Sequence, residues 1–191
     1  MRPIALGLAA VAVLALTSCG GDGAELAASQ DCDGTGQGGS GNRSTAQPLV
    51  PLTGGDPLPT AALPELDGSG CLTTDDLLGQ PTVINFWATW CAFCVEEMPD
   101  LEQVHRDVGD QVRFVGVDRE DVADKALELA EATGVSYELV EDRDGSFFRA
   151  VQGRGMPTTV FVDAEGTIVY RHAGPVTAEE LRALIDEHLD I

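Results

Sequence analysis

The chain has 191 residues, with 11 Lys or Arg against 32 Asp or Glu, a formal charge of −21. That length holds one domain, or one with a tail. The acidity excludes nucleic acid as a partner, since phosphate binding needs clustered Lys and Arg. Lys125 is the single lysine, which excludes a polybasic membrane patch.

Met1-Arg2 opens the chain, and an apolar run follows from Ile4 to Leu16. At about 1.5 Å per residue this run is short of the roughly 20 residues a bilayer needs, and suits a signal-peptide core. Leu16-Thr17-Ser18-Cys19 then resembles a bacterial lipobox. The resemblance implies a signal peptide over 1–18, cleavage before Cys19, and acylation of the Cys19 thiol. Several acyl chains hold a protein far more firmly than one. With Arg2 removed, 10 basic residues remain against 32 acidic ones, a net −22.

Residues 19–56 are rich in Gly, Ser, Asp, Thr and Pro, without apolar periodicity. This composition buries too little to offset chain entropy and reads as a flexible tether. Its Gly34–Gly39 stretch matches GxGxxG literally, but no strand precedes it and no helix follows, so no dinucleotide site is expected.

Residues 57–191 read as one α/β domain. Thr82–Trp87 is a nearly continuous apolar run, as in a buried central strand. A helix is expected from Cys91 towards Val108, bent near Pro99. Val112–Val117 reads as a second strand. Val122, Ala126, Leu129 and Thr133 recur at helical spacing on the next segment. Met156–Asp163 and Thr167–Arg171 read as strands joined by the Ala164-Glu165-Gly166 turn, hence an antiparallel hairpin. Thr177-Ala178-Glu179-Glu180 is a capping box opening the last helix. That helix puts Leu181, Leu184, Ile185, His188 and Leu189 on one face. The order predicts a central mixed sheet covered on both sides. Asp142-Arg143-Asp144-Gly145 looks like half a calcium loop, but Gly153 stands where the loop needs Glu.

The chemistry is concentrated in Trp87-Ala88-Thr89-Trp90-Cys91-Ala92-Phe93-Cys94. Thiols three apart at a helix start close a disulfide ring within the first turn. The free N–H groups and the macrodipole there favour a thiolate on Cys91. Cys94, one turn in, is placed to resolve a mixed disulfide. A lone CxxC is also half a zinc site, but no second CxxC exists and His105, His172 and His188 lack ligand spacing with it. No metal and no cofactor are expected.

Asn85-Phe86-Trp87-Ala88-Thr89-Trp90-Cys91, Glu97-Met98-Pro99, Met156-Pro157-Thr158-Thr159 and Val160-Phe161-Val162-Asp163 together resemble the TlpA/ResA-type thioredoxin-like proteins. The resemblance implies a thioredoxin fold with an N-terminal β-hairpin extension around Leu66-Asp67-Gly68 and Leu77-Leu78-Gly79. It also implies a membrane-anchored, extracytoplasmic thiol–disulfide oxidoreductase. By resemblance Cys91 is the exposed nucleophile, Cys94 the resolving cysteine, and Pro157 a cis-proline presenting Met156 to an extended substrate. Trp90, Phe93 and Met156 would contact that substrate. Glu97 matches an acidic residue that assists proton transfer to Cys94; the competing reading is a solvated helix Glu beside Glu96. Two departures are Phe93, where Pro is usual, and Met156, where a β-branched residue is usual.

The implied partners are protein dithiols or disulfides and a membrane electron donor or acceptor, with the chain a monomer. The direction is reducing, as in cytochrome c maturation, or oxidising. A thiol peroxidase and a Sco-type copper module are the alternatives. Cys32 and Cys71 are left over, and in an oxidising compartment they are expected to pair; free thiols or an intermolecular bridge are the other options.

Overall fold

The computed structural model describes Cys32 and residues 55–191. Among these residues, eight strands and four helices follow in chain order: β1 (Asp56–Pro57), β2 (Ala62–Pro64), β3 (Cys71–Thr73), β4 (Thr82–Trp87), α1 (Ala92–Val108), β5 (Arg113–Arg119), α2 (Ala123–Thr133), β6 (Glu138–Asp142), α3 (Ser146–Ala150), β7 (Thr158–Val162), β8 (Thr167–Ala173) and α4 (Ala178–His188). A 3-10 turn, Thr74–Leu77, links the β2–β3 hairpin to β4. The main sheet has the order β1-β8-β7-β4-β5-β6. β4, β5 and β6 run parallel, while β7 is antiparallel to β4 and β8 to β7. This is a thioredoxin-type mixed sheet with a separate N-terminal hairpin.

The alternation of a strand sends neighbours to opposite faces, and β4 supplies both. Ile84 and Phe86 join Val115, Val117 and Val140 beneath α3 and the hairpin, with Phe147, Phe148, Leu63 and Leu72. Val83 joins Phe114 and Phe161 beneath α1 and α4, with Leu101, Val104, Leu181 and Ile185. Every residue of β4 is buried, which explains its unbroken apolar character. The Phe86 ring meets Phe148 edge-on with centroids 5.2 Å apart; truncating such a ring to Ala typically costs about 3–5 kcal/mol.

Pro99 stands inside α1 and withholds one backbone donor. Glu102 fastens that helix across to Ser136, accepting from its backbone N at 2.7 Å and its Oγ at 2.8 Å. Gly116 in β5 is required by close approach: a Cβ there would stand 3.1 Å from Trp87 Nε1 and 2.9 Å from the Tyr137 ring. The Thr177–Glu180 capping box is present, and α4 buries Leu181 and Ile185, with Leu189 buried at its C-cap.

Three features differ from the sequence reading. β6 and α3 were not anticipated, because Glu138-Leu139-Val140-Glu141-Asp142 is charged at both ends and α3 has only five residues. The Asp142 carboxylate accepts from the backbone N of Phe147 at 3.1 Å and of Phe148 at 2.8 Å, so the calcium-like segment is a turn and helix cap. Val122, read as part of the helical spacing, precedes α2. It is the N-cap residue and is 58% exposed, while Ala126 and Ala130 are buried instead.

Candidate active site

β4 runs through the centre of the sheet and ends at Trp87, which is fully buried. Beyond it, Ala88-Thr89-Trp90 turns back over the strand end. The Thr89 backbone N donates to Asp121 Oδ2 at 2.5 Å, and the Cys91 N to the Ala88 carbonyl at 3.1 Å. Cys91 is the N-cap of α1, and its Sγ accepts from the Cys94 backbone N at 3.3 Å. A sulfur there faces the unsatisfied N–H groups of the first helical turn, the arrangement that lowers a thiol pKa. Cys91 and Cys94 are joined as a disulfide with Cα atoms 5.3 Å apart. Cys91 keeps 7% of its surface and Cys94 none, so Cys91 is the accessible sulfur, though a small target. Trp90 and Phe93 flank it, each 60% exposed.

Glu97 follows Cys94 by three positions, so the two lie on one face of the helix. The carboxylate is not solvated: Glu97 is 3% exposed, whereas Glu96 faces water. Its oxygens accept from Asn85 Nδ2 at 2.8 Å and from the Val176 backbone N at 2.9 Å. Asn85 Nδ2 also reaches Thr159 Oγ1 at 3.2 Å, which ties β4, α1, β7 and the lead into α4 to one carboxylate. Burial pushes Glu97 up from 4.5 to about 7, against the pull of those two hydrogen bonds. Such a group exchanges protons near neutral pH.

A second buried carboxyl, Asp118, lies on β5 in register with Trp87 and with Glu141 of β6. Burial first, then the charges of Asp121 and Glu141, push it up to about 7. Asp121 itself is raised by burial, but the hydrogen bonds from Thr89 and Val122 and the charge of Lys125 hold it below its ordinary value. Asn85, Asp118 and Asp121 did not emerge from the sequence. The available signal was a polar residue inside, or just past, an apolar strand run, since buried polar groups there need a partner.

The Met156–Pro157 peptide is cis. Pro157 is buried, and half-buried Met156 packs on the cluster formed by Trp87, Ala88, Cys91, Cys94 and Met98. Trp90, Phe93 and Met156 therefore come to the same end of the molecule as the cysteines. Cys32 and Cys71 are joined, Cα to Cα 5.7 Å, at the start of β3. Ile4–Leu16 and Cys19 lie outside the described residues; among those described, no helix is long and apolar enough to cross a membrane. His105 packs on Phe114 and Tyr137, and His188 stacks on Tyr170 at 4.1 Å. Among the described residues no group of three His, Cys, Asp or Glu side chains is placed to hold a metal ion.

The Redoxin family profile matches residues 53–185. The thiol:disulfide interchange protein DsbE of Allochromatium vinosum is 34% identical over 139 residues, covering 72% of this chain and 74% of the relative. The protein of the same name from Escherichia coli K12 is 34% identical over 141 residues, covering 70% and 75%. Among solved structures, a DsbF homologue from Corynebacterium diphtheriae superposes with a TM-score of 0.63 at 27% identity, over 69% of this chain and 85% of that one.

Proposed function

The chain belongs to the redoxin family, as a thiol–disulfide oxidoreductase of the TlpA/ResA type, and from that premise we propose how and where it exchanges disulfides. The observation that carries the reading is Cys91 Sγ at the N-terminus of α1, accepting from the Cys94 amide at 3.3 Å. In the reducing direction the Cys91 thiolate attacks one sulfur of a client disulfide. A Cys91–client bond forms, the client S–S bond breaks, and one client thiolate leaves. Glu97, as carboxylate, takes the proton of Cys94, whose sulfur attacks Cys91 Sγ. The second client thiolate leaves, and two electrons have passed from the dithiol to the client. The oxidising direction is the same sequence reversed.

Trp90, Phe93 and Met156 are the client contacts, and Cys32–Cys71 is a fixed disulfide outside the exchange. Cleavage before Cys19 and its acylation would place residues 57–191 on the extracytoplasmic membrane surface, at the end of the 19–56 tether, as a monomer. A membrane protein supplying or accepting the two electrons completes the cycle. Cytochrome c maturation is the process in which a reductase of this kind would serve.

Cys94→Ser tests the order of attack. It is expected to accumulate a mixed disulfide with a protein client through Cys91, seen as a mass shift that thiol reductant reverses. Trapping by Cys91→Ser instead would overturn the assignment. Equilibration with glutathione gives the direction: a potential near −270 mV marks a reductase and one near −120 mV an oxidant, on the scale of about −270 for thioredoxin and −120 for DsbA.

A further inference from the structure

Of the arginines that form ion pairs among the described residues, Arg171 is the most buried, its side chain keeping 6% of its exposure against 21% for the next, Arg119. A guanidinium taken out of water this far needs partners. Arg171 stands on β8 in register with Val160 of β7. Paired residues share a face, and Val160 belongs to the core beneath α3, so the Arg171 side chain runs towards α3. Its Nε donates to the Val151 carbonyl at 2.9 Å, and a terminal nitrogen reaches Asp56 Oδ2 at 3.3 Å. None of these groups takes part in the exchange described above.

Val151 is the C-cap of α3, where a carbonyl has no partner within the helix. The chain then needs only the five residues 152–156 to reach the cis peptide before Pro157. That stretch is held along its length. Gln152 is left-handed at φ +62°, a conformation that a residue other than glycine keeps only when its surroundings impose it. The Gly153 amide donates to the Phe148 carbonyl at 2.9 Å, and a Cβ on Gly153 would stand 2.2 Å from the Phe148 ring. The Gly155 carbonyl accepts from Thr158 Oγ1 at 2.6 Å, and the Pro157 carbonyl from the Gly174 amide at 3.0 Å. A stretch this short and this restrained passes a displacement at Val151 on to Met156.

We propose that Arg171 is a positioning residue for the exchange reaction: by holding Val151 it sets where Met156 and Pro157 stand, and so governs exchange with polypeptide disulfides more than with small ones. It acts through residues 151–156 and does not touch the sulfur atoms. The planar fork is what suits it to the task, since Nε and a terminal nitrogen serve two acceptors in fixed directions, which a lysine ammonium cannot do. Asp56 orients the fork from β1, and the charge strengthens the bond to the Val151 carbonyl. An extended client that pairs with the Met156 backbone depends on where that backbone stands. A small disulfide has no backbone to align.

This role rests on the client contact at Met156 given above, and the test separates the two. Full-length reduced protein is mixed with a ten-residue peptide bearing one cysteine as its mixed disulfide with mercaptoethanol, and separately with hydroxyethyl disulfide. Second-order rates are read by stopped-flow fluorescence. Arg171→Met keeps the stem and removes the donors. It is expected to lower the peptide rate about tenfold, within the range that a misplaced positioning group costs. The hydroxyethyl disulfide rate should stay within about twofold, and the Cys91 thiolate absorbance curve should not move. Arg171→Lys should fall between wild type and Arg171→Met. Asp56→Asn should lower the peptide rate severalfold, and should add nothing in the Arg171→Met background. Equal loss with both disulfides, an unchanged peptide rate, or a shifted thiolate curve would each overturn the role. If Arg171→Met fails to fold, Asp56→Asn decides, because its carboxylate is half exposed: an unchanged ratio of peptide to small-disulfide rates overturns the role. A wild type that reacts no faster with the peptide than with hydroxyethyl disulfide would instead refute the client contact at Met156.

Discussion

Glu97→Gln tests whether the buried carboxyl carries a proton near neutral pH, and the expected effect is a change of slope. The carboxyl is moved from 4.5 to about 7 in the folded chain by burial, only partly offset by Asn85 and the Val176 amide. A group whose folded pKa is raised contributes stability that is complete below its unfolded value and is lost as pH rises through its folded value. The window is therefore roughly pH 4.5 to 7, the total on the order of 3 kcal/mol, and the steepest loss about 1.4 kcal/mol per pH unit. Asp118, moved from 3.8 to about 7, acts in the same sense and overlapping window. Glutamine removes the Glu97 share of that slope. The substituted amide can keep both bonds, since Asn85 Oδ1 has no partner among the described residues and can accept from its NH₂ once the Asn85 amide turns. The assay is urea unfolding of the disulfide-intact protein from pH 5 to 8.5. Wild type should lose stability across the window, Glu97→Gln should lose visibly less, and the Glu97→Gln, Asp118→Asn double variant should be nearly flat. A wild-type slope retained in Glu97→Gln would refute the burial argument.

Val122→Ser should raise the unfolding midpoint, as a capping side chain is worth about 1 kcal/mol over a branched apolar one; calorimetry checks this. Cys71→Ser opens a loop of 39 residues and is expected to cost up to about 4 kcal/mol in the chain-entropy model. In wild type reduced only at Cys91 and Cys94, alkylation under denaturing conditions should then find two thiols from the four described cysteines, and four would refute a fixed Cys32–Cys71 bridge. Asp121→Ala leaves the Thr89 and Val122 amides without their acceptor and should cost about 1–3 kcal/mol, together with a slower exchange with glutathione in stopped-flow measurements.

What the sequence made legible was what repeats locally. The buried run Thr82–Trp87 and the capping box at Thr177 are written in adjacent residues, and the structure places both at those positions. The Cys91–Cys94 pair at a helix start is likewise a local pattern. β6 escaped because its buried acidic residues have their own partners, Glu141 pairing with Arg143 and Asp142 accepting from the start of α3, and α3 because a one-turn helix has no period to detect. The site's buried polar network was illegible for a different reason. Glu97 meets Asn85 and Val176 across 12 and 79 residues of chain, and no pattern in one sequence announces such a meeting. The choice between a buried and a solvated Glu97 turned on what the end of α1 packs against, which only the assembled sheet decides.

The same assembly sets two influences on Cys91 against each other. The N-terminus of α1 favours the thiolate, with the partial charge of the macrodipole and the Cys94 amide directed at the sulfur. Glu97 and Asp118 oppose it once ionised, since a nearby like charge disfavours the charged form of the thiol. Both carboxyls titrate near pH 7, so below that pH they are neutral and the helix terminus acts unopposed. Above it, each ionisation makes the next proton harder to remove from the thiol. The Cys91 thiolate should therefore appear over a pH range broader than a single site gives, as for any coupled set of groups. Thiolate ultraviolet absorbance of the reduced protein measures this directly. The Glu97→Gln, Asp118→Asn double variant should sharpen the curve and move it to lower pH; a single-site curve in wild type, unmoved in the double variant, would show that the buried carboxyls do not reach the sulfur.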